Sequence, residues 1–218
     1  MDQEFWHARW SSNEIGFHLN EVNPFLIQHW TTLGLPAGSR ILVPLCGKTL
    51  DMRWLVEQGY SVFGVELSRK AVEDFFAEQN LSFVLTEQRG FFCYRSDRLE
   101  IWCGDFFALT AADVADCQGL YDRAALIALP LAMRERYVAH LKALLPEAAK
   151  ALLITLDYPQ AQMSGPPFSV SEAEVHERFA EGWHVEYVLD VDALPDNPRF
   201  IDRGLTALHE MVFRLKKC

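Results

Sequence analysis

Gly47 and Glu66 are the first pair of residues from which a chemistry can be read. Gly47 lies in "RILVPLCGKTLD" (40–51), where an apolar run meets a glycine turn and then helical spacing. Nucleotide-type ligands dock at such a strand–turn–helix, because glycine lets the backbone approach the ligand at the start of the helix. Glu66 ends "VFGVE" 19 residues after Gly47, and a carboxylate at a second strand tip can accept hydrogen bonds from both hydroxyls of a ribose. A strand-terminal glutamate is more often simply solvated, but its place relative to the glycine turn favours the ribose. "GKT" at 47–49 suggests a phosphate loop, yet the glycine needed five positions earlier is Leu42, so the nest of N–H groups is missing. A dinucleotide fingerprint needs three glycines and this turn has one. A nucleoside ligand without phosphates needs fewer. S-Adenosylmethionine meets that description, and a plain structural turn is the alternative.

Other residues offer chemistry around that turn. "WCGDFF" (102–107) puts Asp105 and Phe106 after a strand, where a carboxylate can bond an adenine amine and a ring can stack on it; paired phenylalanines are more often core. Arg123 follows Asp122 over the expected cleft and could stabilise negative charge on an acceptor, or form a salt bridge to Asp122 or Glu66. Trp6 and Trp10 stand four apart and share a face if their segment is helical. As a lid, their indoles would attract a sulfonium cation, although aromatic stripes are usually core. Few contacts are expected to hold such a lid without ligand. His18 in "GFHLN" could relay a proton, but a loop histidine of this kind is more often structural. Cys46 has no accompanying histidine in its motif and reads as small core filler.

The elements that must carry these residues alternate. Ile41–Leu45 is a strand apolar on both faces, followed by helical spacing at Leu50, Trp54 and Leu55 that stops at Gly59. "YSVFGVE" (60–66) is the next strand, and Ser68 can cap a helix carrying Val72, Phe75 and Phe76. Residues 91–95 and 98–103 read as an inserted hairpin, and "LYDRAAL" (120–126) begins as a strand. A helical stripe runs from Tyr137 to Leu145, and "KALLITLDY" (150–158) is a buried strand. A capping box, Ser171 to Glu174, opens a helix with Val175 and Phe179. Two last strands, about 183–190 and 204–215, are joined by a loop alone. The alternation predicts an α/β fold: a doubly wound, mainly parallel, Rossmann-like sheet of seven strands with a C-terminal antiparallel hairpin.

Composition narrows the function. The chain has 218 residues, enough for one α/β domain over 1–218. Its formal charge of −10 opposes a nucleic-acid backbone as partner, and no apolar run is long enough for a bilayer. The N-terminus lacks a signal-like apolar core, so a cytoplasmic location is expected. Cysteines at 46, 93, 103, 117 and 218 form no CxxC and no zinc pattern, which predicts reduced thiols and no metal. Without a long edge or heptad pattern, a monomer is expected.

Together, "VPLCGKTLDMRWLVEQGYSVFGVELS" (43–68), "DRAALIALP" (122–130) and "GPPFSV" (165–170) resemble the thiopurine S-methyltransferase family in its bacterial form. The resemblance implies a class I fold that binds S-adenosyl-L-methionine and releases S-adenosyl-L-homocysteine. It implies cofactor contacts at Trp10, Leu45, Glu66 and Arg123, with the adenine near Asp105 and Phe106. Substrate contacts are implied at Phe17, Arg123 and Arg199, with Arg123 the catalytic charge and residues 1–35 a lid. The implied acceptor is the sulfur of a thiopurine or other aromatic thiol, with small selenium or tellurium compounds as further candidates. Two rival functions are a nicotinamide-dependent oxidoreductase, disfavoured by the missing glycines, and a non-catalytic cofactor-binding module.

Overall fold

A computed structural model describes residues 3–218. Among them nine strands run along the chain: β1 (Arg40–Pro44), β2 (Ser61–Glu66), β3 (Val84–Gln88), β4 (Phe91–Ser96), β5 (Leu99–Cys103), β6 (Cys117–Arg123), β7 (Lys150–Asp157), β8 (Trp183–Asp192) and β9 (His209–Lys217). They form one sheet in the order β3-β4-β5-β2-β1-β6-β7-β9-β8. The five central strands, β5 to β7 in that order, are parallel, and both flanks are antiparallel.

The expected count of seven is therefore corrected to nine. The hairpin read at 91–103 is present, but its second strand, β5, belongs to the parallel centre beside β2. β4 and β3 extend the sheet beyond it. All five residues of β3 are exposed, so "VLTEQ" carries no burial pattern from which a strand could be read. The last two strands are also joined by more than a loop: a one-turn helix, Pro198–Ile201, lies between them, and β9 begins at His209 rather than 204.

Both faces of the central sheet are covered, as alternation along β1 requires. Leu42 packs into one apolar cluster with Tyr137, Leu141 and Val175, which come from α5 (Leu131–Leu144) and α6 (Glu172–Arg178). Ile41 and Val43 face the other cluster, with Leu26, Met52, Val72 and Phe75 from α2 (Pro24–His29), α3 (Asp51–Glu57) and α4 (Arg69–Glu78). The first helix, α1 (Gln3–Ser11), contributes the buried Trp10. Ser68 caps α4 as read, its hydroxyl accepting the Ala71 N–H at 3.4 Å. No described helix is long and apolar enough to cross a membrane.

The capping box at α6 is only half made. Ser171 accepts the Glu174 N–H at 3.3 Å, but the Glu174 carboxylate is taken by Arg134 at 2.6 Å instead of turning back to the cap. Arg134 is 3% exposed and also donates to the carbonyls of Leu129 (2.8 Å) and Ser169 (3.0 Å). One guanidinium thus ties α5 and α6 to the "SGPPF" segment at the cavity rim. Truncation leaves two carbonyls unpaired and the partly buried Glu174 carboxylate to Arg178 alone. Arg134→Ala is expected to cost about 3–5 kcal/mol in urea unfolding, and Arg134→Lys to recover only part, because an ammonium cannot reproduce the fork.

Candidate active site

The parallel strands end along one edge, and β1 is where chain order reverses, with β2 on one side and β6 on the other. A cavity of about 860 Å³ opens there, within the size of small-molecule sites. Trp10, Phe17, Leu45, Glu66, Asp105, Phe106, Arg123 and Arg199 all line it. Eight residues spread over most of the chain are brought to one concavity.

The turn after β1 is built on left-handed backbone at Leu45 (φ 48°) and Gly47 (φ 53°). Leucine tolerates that conformation only when its surroundings impose it. Here the Cys46 N–H is held by the Val65 carbonyl at 3.0 Å, and the Gly47 N–H donates to Glu66 Oε2 at 2.8 Å. Glu66 Oε1 accepts the Ser68 N–H, also at 2.8 Å. Burial pushes the Glu66 carboxyl above its usual range, and the N–H bonds from Ser68 and Gly47 pull it back down. Each oxygen keeps a further lone pair for a hydroxyl donor. Gly47 has a second reason to lack a side chain: a Cβ there would lie 3.1 Å from Trp10 Cζ2. The indole itself closes on the turn. Cys46 is buried and its thiol is pushed well up, chiefly by desolvation and then by Glu66, so it stays protonated and inert.

Asp105 Oδ1 accepts the Phe107 N–H at 2.9 Å, capping a short turn over Phe106–Ala108, and no described donor reaches Oδ2. Phe106 is mostly core, packed on Tyr137 and His140 at ring distances of 5.3 Å, yet still borders the cavity. Phe107 borders it as well, with the Arg136 guanidinium 3.9 Å above its ring.

On the opposite side the aromatic rings of the N-terminal segment and the arginines meet. The Phe17 ring stands edge-on to Trp6 and Trp10 at 5.8 and 5.5 Å. Arg123 Nη1 donates to the Phe17 carbonyl at 3.2 Å, and Arg199 Nη1 donates to the Gly16 carbonyl. Among the described residues Arg123 forms no salt bridge with Asp122 or Glu66, which corrects that alternative. Asp122 is committed elsewhere: to the Leu126 N–H at 3.1 Å and the Tyr137 hydroxyl at 2.7 Å. The loop is anchored further along by Asp51, fully buried, which accepts the Asn23 N–H and the Tyr121 hydroxyl at 2.8 Å each. These anchors exceed the few contacts expected of a free lid. Pro166 and Pro167 form the second rim.

The family described as thiopurine S-methyltransferase (TPMT) matches residues 1–218. The chain belongs to the thiopurine S-methyltransferase family. Thiopurine S-methyltransferases of Pseudomonas fluorescens (strain Pf0-1) and Azotobacter vinelandii are each 57% identical to it, covering 99% and 100% of both chains. Membership makes the chain a methyltransferase dependent on S-adenosyl-L-methionine. Solved structures agree on the fold alone. One, from work on the conversion of a disulfide bond into a thioacetal group during echinomycin biosynthesis, has a TM-score of 0.66 at 16% identity and covers 99% of this chain and 93% of its own. The Burkholderia thailandensis 1,6-didemethyltoxoflavin-N1-methyltransferase, solved with bound 1,6-didemethyltoxoflavin and S-adenosylhomocysteine, has a TM-score of 0.62 at 16% identity, with 99% of this chain and 86% of its own covered.

Arg203 and Glu210 are among the cavity-lining charges that escaped the sequence reading. Arg203 lies two residues past the one-turn helix that carries Arg199 and, after burial and Arg123, is a further cause of Arg199's lowered pKa. Glu210 opens β9 on the face of the fully buried Val212; an acid in that register is the signal that would have found it. Burial raises its carboxyl, opposed by Arg123 and by a hydrogen bond from Asn23.

Beneath the site, burial pushes the Asp122 carboxyl up to about 6, against the Tyr137 and Leu126 hydrogen bonds. The folded chain therefore favours the protonated form. Stability from this group is complete below the unfolded value of 3.8 and is lost as pH rises through about 6. Urea unfolding should show the stability of the unsubstituted protein, relative to Asp122→Asn, falling between pH 4 and about 6 and level above about 7.

Proposed function

We propose that this methyltransferase acts on the sulfur of thiopurines and related aromatic or heterocyclic thiols, with small selenium and tellurium compounds as further acceptors. The observation that carries the reading is the convergence, in one cavity, of the Glu66–Leu45–Trp10 side with the Arg123–Phe17–Arg199 side. S-Adenosyl-L-methionine supplies an electrophilic methyl on a sulfonium, with a neutral thioether as leaving group.

The residues present suit that donor. Glu66 offers spare lone pairs to two ribose hydroxyls, and Asp105 Oδ2 offers one to an adenine amine beside Phe106. Trp10 turns its indole to the turn at Leu45–Gly47, where an aromatic face attracts a cation. Arg123 and Arg199 place positive charge at the acceptor's end and favour a thiolate or electron-rich ring. Residues 1–35 act as the lid, with Pro166–Pro167 as the second rim of the cavity; Met1 and Asp2 lie outside the described residues. Holding a sulfur behind the methyl and excluding water can lower the barrier by roughly 7–11 kcal/mol. Soft, polarizable acceptors need little else.

Titration calorimetry with S-adenosylhomocysteine, NAD and ATP in parallel should give binding of the first alone. Glu66→Ala, with its fold checked by circular dichroism, should weaken that binding roughly 100-fold or more, from the loss of two charged hydrogen bonds. Intact affinity would remove the ribose assignment. Arg123→Ala should lower kcat/KM for a thiopurine roughly 10- to 100-fold, and an unchanged value would eliminate its role on the acceptor.

A further inference from the structure

His18 follows Phe17, whose carbonyl Arg123 holds, and borders the cavity half-buried. Among the described residues its ring makes no hydrogen bond or ion pair. His140, His176 and His209 are each engaged, with the Phe106 carbonyl, Glu172 and Asp190. A half-buried imidazole without a partner among the described residues, at the border of the cavity, has its ring nitrogens available to a ligand.

We infer that His18 takes the proton from acceptors that enter as neutral thiols, which extends the proposed reaction to thiols that are not ionised at neutral pH. The inference rests on the acceptor reading given above. Charged groups on four elements act on the ring: Lys48 in the turn after β1, Asp51 on α3, Glu78 on α4 and Arg123 at the end of β6. Burial, then Lys48 and Arg123, lower its pKa, while Glu78 and Asp51 oppose them. The ring is thus neutral near pH 7 and has one free lone pair. Lys48 is itself paired with Glu78 at 2.6 Å.

The step balances. The S–H bond breaks toward an imidazole nitrogen as the sulfur's electron pair forms the new S–CH3 bond. The old bond from methyl to sulfonium gives its pair to the departing thioether. The imidazolium, beside Lys48 and Arg123, returns one proton to water per turnover. For a thiol with a pKa near 9, only about 1% is thiolate at pH 7, so a base can gain at most about 100-fold.

The test is a series of benzenethiols and aliphatic thiols graded in acidity, assayed with His18→Asn and the unsubstituted protein. The loss in kcat/KM should grow with thiol pKa, from a few-fold for the most acidic to about 10- to 100-fold for the weakest acids. It should close as pH rises past each thiol's pKa. A loss that is uniform across the series, or absent, would overturn the inference. A second readout needs no turnover. The His18 ring resonances in protein saturated with S-adenosylhomocysteine should shift, and the ring pKa should rise, when an acidic benzenethiol binds. Unmoved resonances with the thiol bound would overturn the inference too. Failure of the unsubstituted protein to methylate any thiol would fall instead on the acceptor reading, with the resonance measurement still reporting whether the ring meets the ligand.

Discussion

A single buried carboxylate organises the turns at the ends of β1 and β2. Glu66 is 6% exposed and bridges two backbone N–H groups, one in the turn after β1 and one in the turn after β2. Ionised burial is costly unless donors compensate, and those N–H groups are the compensation. The bond to Gly47, together with the Cys46 N–H held by the Val65 carbonyl, fixes the left-handed turn at Leu45 and Gly47. The small residues nearby follow from this packing: a Cβ on Gly64 would lie 2.9 Å from Cys46 Sγ, directly beneath the turn.

A second buried acid, Asp51, plays the corresponding part for the N-terminal segment. It opens the helix that leaves the cofactor turn, and it holds both Asn23, which caps α2, and Tyr121, two residues before Arg123. The N-terminal segment at Asn23, the turn's helix and the strand bearing Arg123 share one anchor. A displacement at any of the three is felt by the others, because a buried carboxylate cannot release a donor cheaply.

The parallel centre and the cofactor turn were legible because both rest on local signals: doubly buried apolar runs, a glycine, a strand-terminal acid. Ser68 and the Tyr137 helix were legible for the same reason. β3 was not, since an exposed edge strand needs no apolar alternation. Glu174 looked like half of a capping box because a local motif cannot reveal a distant competitor, and Arg134, forty positions away, outbids the cap with a charge. Arg123 shows the opposite limit. A neighbouring Asp122 suggested an ion pair, but adjacent strand residues point to opposite faces, and Asp122 turns into the core toward Tyr137. Glu210 and Arg203 join the cavity only through the C-terminal antiparallel return, which no short window contains.

Arg123 and Arg199 grip two consecutive main-chain oxygens, those of Phe17 and Gly16. Carbonyls are common to every amino acid, so the fastening is indifferent to which side chains the loop carries. Exchange of residues 16–18 can thus remodel the roof of the pocket while leaving its attachment intact. Divergence toward new acceptors has an inexpensive route here, by varying the ceiling without rebuilding the walls.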